Sequence, residues 1–157
     1  MRRFEEEWQL LVAARTWLGD RGYRLLESRG PEGMDQGFDL YAGDHVEIRI
    51  IADRSQWFIE VRPGTEAVDA SGWEGCFNLE AWSTCLGAPA TFHDTRPTLT
   101  DEDRTIVLAN SWWLQPQLDF LRAHLTEIED ACQADRMRAT LACLADAQRR
   151  LSALATA

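Results

Sequence analysis

The chain contains no lysine. All 16 of its basic side chains are arginines, set against 26 acids, for a formal net charge of −10. That balance argues against nonspecific nucleic-acid binding, whose affinity comes mostly from Lys and Arg neutralising phosphates. It also means that every cationic contact is made by a planar, forked guanidinium. Cysteine is scarce: Cys76, Cys85, Cys132 and Cys143 include no C-x-x-C pair. Neither a zinc site nor a disulfide framework is indicated, and buried free thiols are expected. No apolar run approaches the roughly 18 to 20 residues of a membrane span. The opening "MRRFEEEWQL" puts three glutamates where a secretory leader needs apolar residues. The simplest expectation is a cytoplasmic protein.

What is present fits one α+β domain. Length per domain is a soft guide of roughly 100 to 200 residues, and the chain has 157. Residues 3–19 read as an amphipathic helix, with Phe4, Trp8, Leu11 and Leu18 near a 3.6-residue period and Glu5, Glu6 and Glu7 loading the first turn. Leu10, Val12, Ala14 and Trp17 widen its apolar face, so cover from a sheet and another helix is expected. Gly19 and Gly22 end it. Four strands follow, at 23–28, 37–42, 45–51 and 57–62. In the third, Val46, Ile48 and Ile50 alternate with Glu47 and Arg49; in the fourth, Trp57, Ile59 and Val61 alternate with Glu60 and Arg62. Short turns at Gly43-Asp44 and Asp53-Arg54-Ser55 make neighbours antiparallel. A four-stranded meander with helices on one face is expected.

Beyond residue 62 the pattern is less regular. Residues 63–77 and 88–99 read as loops. Between them Asn78 looks like an N-cap for a short helix through Leu79, Trp82 and Leu86 that stops at Gly87. The Thr100-x-x-Asp103 start predicts a helix that runs through "NSWWLQPQL" and buries Trp112 and Trp113 in two internal seams. A strand over 105–109 is the alternative, because that stretch opens with β-branched residues. Pro116 should kink or restart the helix. Leu118, Leu121, Leu125, Ile128 and Cys132 then keep 3-and-4 spacing, which Met137, Leu141, Leu144 and Leu151 resume in a shifted phase. Either a helical hairpin or one bent helix satisfies that shift, and coiled self-association into a homodimer remains open.

Catalytic patterns are few. The three histidines, His45, His93 and His124, are scattered, and His93-Asp94 lacks a nucleophile elbow or catalytic-cysteine signature. "GPEGMDQG" at 30–37 lacks the lysine and helix of a phosphate loop. Asp35, Asp39 and Asp44 miss calcium-loop spacing. No cofactor or metal is expected.

Charge distribution is more informative. Residues 63–103 hold one arginine and eight acids, so they carry −7 of the −10. Aromatic residues are interspersed there. Aromatics supply buried anchors and a single sign of charge speeds encounter, so Glu66, Asp69, Trp73, Glu74, Phe92 and Asp94 are the candidate partner-binding residues. In size, helix–meander–helices order, tryptophan content and this acidic segment, the chain resembles the small acidic bacterial immunity proteins that neutralise toxin domains. That resemblance implies a non-catalytic inhibitor whose acidic patch covers a basic protein domain, such as a toxin or secreted effector. Small acidic secretion chaperones share the same features. A ligand-binding domain or enzyme with a pocket between sheet and helices, His93 and Asp94 at its mouth, is the reading from a different class.

Overall fold

The structure is a computed structural model of the full chain. It describes all residues except Met1, 30–35, 54–55, 65–75, 95–97, 100–105, 108–110 and 157. Helix α1 (Arg2–Asp20) leads into strands β1 (Arg24–Arg29), β2 (Gln36–Ala42), β3 (Val46–Asp53), β4 (Gln56–Pro63) and β5 (Phe77–Asn78). Helix α2 (Leu79–Cys85) follows, then four two-residue strands: β6 (His93–Asp94), β7 (Thr98–Leu99), β8 (Ile106–Val107) and β9 (Ser111–Trp112). Helices α3 (Leu114–Ala131) and α4 (Met137–Thr156) complete the order. The architecture is α+β: an N-terminal helix, an antiparallel meander and C-terminal helices packed on the sheet. None of these helices is long and apolar enough to cross a membrane.

The meander forms because each strand's alternation matches the pleat. Val46, Ile48, Ile50, Trp57, Ile59 and Val61 are all buried on one face, and they pair directly as Ile48↔Val61 and Ile50↔Ile59. On the other face Arg49 pairs with Glu60 at 2.6 Å, and Arg62 with Glu47, so opposite charges sit across the two central strands. The sheet has five strands in the order β1-β2-β3-β4-β5, one more than expected, because Phe77 and Asn78 pair with Val61 and Glu60. The Gly43 turn closes with its N–H donating to the Val46 carbonyl at 2.8 Å.

Helix ends follow their local chemistry. At the end of α1, Gly22 takes a positive φ of 88°. Its N–H donates to the Gly19 carbonyl and that of Tyr23 to the Leu18 carbonyl, both at 3.0 Å, a double closure that left-handed glycine permits. Leu18 and Tyr23 are both buried and complete the motif. Asn78 caps α2, its side-chain oxygen accepting from the Ala81 N–H at 3.0 Å. Gly87, φ 72°, ends α2 in the same way as Gly22 ends α1.

Three expectations need correction. First, Ile106–Val107 is a strand paired with Thr98–Leu99, and Ser111–Trp112 pairs with His93–Asp94, so the helix begins only at Leu114. β-branched Ile106 and Val107 suit a pleated ladder, and nearby partner strands supply its hydrogen bonds. Trp112 is therefore half-buried, tilted against Phe58 with ring centroids 5.5 Å apart, and not locked inside a helical seam. Second, Pro116 neither kinks nor restarts α3. It occupies the third helical position, where its missing N–H would have had no intrahelical partner. Third, Cys85 and Cys143 form a disulfide with Cα atoms 5.9 Å apart, 58 residues apart in sequence. Folding brings the end of α2 against α4, a tertiary contact that local spacing does not encode. Cys76 and Cys132 are the free thiols. Burial pushes both up to about 12.

The helical hairpin is resolved: α3 and α4 are separate helices joined at 132–136. Leu118, Leu121, Leu125, Ile128 and Cys132 are fully buried. Gln117 is buried among them. Its side-chain oxygen accepts from the Ile59 N–H at 2.8 Å, while its amide donates to the carbonyls of Trp57 and Trp113 at 2.8 and 2.7 Å. β5 covers β4 only at Glu60 and Val61, so Gln117 takes over the ladder where β5 does not reach.

Candidate functional site

Helices α1 and α3 lie side by side, running in the same direction. Their C-terminal ends are tied by Arg21, which donates to Glu129 at 2.6 Å. The Trp17 ring lies in the same seam, with the guanidinium groups of Arg21 and Arg122 at 5.9 and 5.6 Å from its centroid. Towards their N-terminal ends the helices part. The opening is a groove of about 550 Å³, lined by Glu6, Glu7, Gln9 and Leu10 of α1 and by Trp113, Leu114 and Gln115 at the start of α3.

Local chemistry builds that groove. Helix α3 begins directly after Trp113, its N-cap, which is in an extended conformation, and Pro116 is accommodated in the first turn. That places a half-buried indole at the rim. Glu7 is buried and fixed by the Trp57 indole, which donates to it at 2.7 Å. Glu6, Gln9 and Gln115 are exposed. No basic side chain is among the described residues lining the groove. The positive end of α3 is worth roughly half an elementary charge, against two carboxylates on the opposite wall. The groove thus sets an indole opposite carboxylate oxygen, the two kinds of group that attract cations.

A second polar cluster is structural. Arg15 donates to Asp39 through Nε and Nη2 at 2.7 and 2.9 Å, while Ser28 and Tyr41 donate to the same carboxylate at 2.6 and 2.8 Å. Asp39 is buried. Burial alone pushes its carboxyl up, but the hydrogen bonds from Arg15, Ser28 and Tyr41 outweigh that and hold it below the ordinary range. Four donated bonds occupy the carboxylate, so it clamps α1 to β1 and β2 and has little left for a ligand.

The candidate residues read from sequence separate. Phe92 is buried, edge-on to Phe120 at 5.3 Å, and its N–H donates to buried Glu80 at 3.2 Å. Its ring is core and offers no anchor to a partner. Asp94 lies in β6, backbone-paired with Ser111. Glu66, Asp69, Trp73 and Glu74 lie outside the described residues. The histidines sit on separate elements: His45 is exposed at the β2–β3 turn, His93 pairs through β6, and His124 contacts Glu127 at 2.9 Å. Among the described residues no three His, Cys, Asp or Glu side chains gather as a metal site. Sequence reading missed the groove because its two walls lie about a hundred residues apart; the glutamates at 5–7 read only as a helix start.

Compared with family models, with curated proteins and with solved structures, the chain matches none.

Proposed function

We propose that the protein is a non-catalytic binding protein that recognises a basic protein domain, in the manner of an immunity or antitoxin-type inhibitor. The observation that carries this reading is the groove between α1 and α3, with carboxylates on one wall, an indole on the other and no basic side chain among its described lining residues. An arginine or lysine of the partner enters it, lying against Leu10 and Trp113 and meeting the exposed carboxylate of Glu6. Net charge of −10 adds long-range attraction for a basic surface. The acid-rich segment 63–103, with Asp69, Trp73 and Glu74, adds to the attraction for a basic surface in this reading.

The test is capture at low salt from a lysate of the native cell, followed by elution along a salt gradient. It compares the wild type with Glu6→Arg/Gln115→Arg, both at exposed positions. A stoichiometric basic partner, released by salt and not retained by the double variant, supports the reading. A partner held equally well by the double variant overturns the groove as the site.

A further inference from the structure

The disulfide lies where a reagent can reach it. Cys143 is exposed, Cys85 is half-buried, and both line an open cleft of about 310 Å³ between α2 and the α3–α4 turn, with Trp82, Asp135, Arg136 and Thr140. A structural disulfide in a packed interior is inert because thiolates cannot approach it. This one faces solvent space, with a guanidinium and a carboxylate at the entrance. The helix it holds has its main packing partner in α2, the helix at the other end of the bond. Helix α4 packs on α2 and on β5, burying Met137, Leu144 and Ala147, while Leu154 remains 74% exposed. Thr140 donates to the Ala131 carbonyl at 2.8 Å. The ion pairs of Asp146 with Arg149 and Arg150 are internal to α4.

We propose that the cleft between α2 and α4 is a thiol–disulfide exchange site for a small amino-acid-type thiol, and that opening the Cys85–Cys143 bond releases α4 from α2. The carboxylate of the incoming thiol pairs with Arg136 and its ammonium with Asp135, setting its sulfur against Cys143. The incoming thiolate attacks Cys143 Sγ; the bond between the two protein sulfurs breaks, and Cys85 leaves as a thiolate that takes a proton from water. A second equivalent of thiol attacks the mixed disulfide and frees Cys143. The two reductant molecules are joined in a disulfide, so two electrons pass to the protein. The remaining thiols do not compete: Cys76 and Cys132 are held protonated by burial. Persistent disulfides belong to oxidising compartments and reversible ones to redox sensing; the open cleft favours the second role.

The experiment incubates the folded protein with reduced glutathione, without denaturant, and follows adducts by mass spectrometry and amide exchange over α3 and α4. Expected are a glutathione adduct on Cys143 and, in the fully reduced protein, amide exchange at least about tenfold faster in α4, with α3 unchanged, as for a sub-global opening. Cys85→Ser should show the same α4 exchange without reductant. Arg136→Ala should slow the reaction with glutathione by about fivefold, the scale of one exposed ion pair, and leave that with 2-mercaptoethanol unchanged. Reduction only under unfolding conditions, an adduct confined to Cys85, or unchanged α4 exchange after reduction would each overturn the proposal. Equal slowing with both thiols would remove Arg136 from it.

Discussion

Replacing Gln117 with leucine should destabilise the fold far more than its single-residue scale suggests. The side chain is buried and satisfies the Ile59 N–H and the Trp57 carbonyl beyond the reach of β5. Leucine has nearly the same volume, so no large cavity opens. It leaves two buried backbone groups without partners, each worth about 1 to 3 kcal/mol. The Trp113 carbonyl also loses its side-chain partner, but at the N-cap it still accepts the first helical bond. Burial of the added apolar surface returns up to about 2 kcal/mol. The net loss should be about 3 kcal/mol, which for a domain of this size lowers Tm by roughly 6 to 12 °C. Urea unfolding followed by tryptophan fluorescence measures it, with an unchanged m-value showing that the unfolded reference has not moved. A companion variant, Gln117→Glu, tests the same geometry by pH. Its carboxylate would face two carbonyls in a buried site, so its folded pKa rises above the ordinary value of about 4.3. The native state then binds the extra proton, and stability relative to wild type should fall as pH rises from that value. A Gln117→Leu loss below about 0.5 kcal/mol, the range of ordinary surface substitutions, would refute the edge-completing role.

Other outcomes follow from single features. Cys85→Ala/Cys143→Ala removes a cross-link spanning 58 residues and should lower unfolding free energy by about 4 kcal/mol on the chain-entropy estimate, measured in urea. Arg15→Ala leaves Asp39 buried without its cation and should cost about 3 kcal/mol. In the wild type the Asp39 carboxyl is held below its ordinary range, so its contribution is complete above about pH 4 and disappears as pH falls through the folded value. Asp39→Asn should flatten that acid limb of a stability–pH profile. Asn78→Ala removes the α2 cap and should cost about 1 kcal/mol by the same urea assay.

Sequence periodicity located the elements whose neighbours are local. The alternation through β3 and β4 identified Ile48, Ile50, Ile59 and Val61 as one buried face, and the 3-and-4 spacing after Pro116 identified the buried stripe of α3. It failed where tertiary partners decide. Ile106, Val107 and Trp112 fall in a stretch whose apolar spacing suits a helix, yet strands at 98–99 and 93–94 claim 106–107 and 111–112 for short ladders. The disulfide depends on α2 meeting α4. Glu7, Asp39, Glu80 and Gln117 look like surface residues in the sequence, and each is buried because a specific donor or backbone group awaits it. Trp82 was legible as core and is fully buried, its indole donating to the Val61 carbonyl at 3.1 Å. The groove was not legible: the sequence reading placed its acids and tryptophan within 63–103, whereas Glu6, Glu7 and Trp113 come together only when α1 and α3 pack side by side.

The most direct measurement is a titration of the isotope-labelled protein with an arginine-rich peptide at low salt, followed by nuclear magnetic resonance. Peptide binding in the groove should shift the Trp113 indole N–H and the amides of Glu6, Gln9 and Gln115, with the shifts lost at raised salt as exposed charges are screened. Absence of shifts at those positions, or shifts confined to another surface, would contradict an acidic groove as the cation-recognising site.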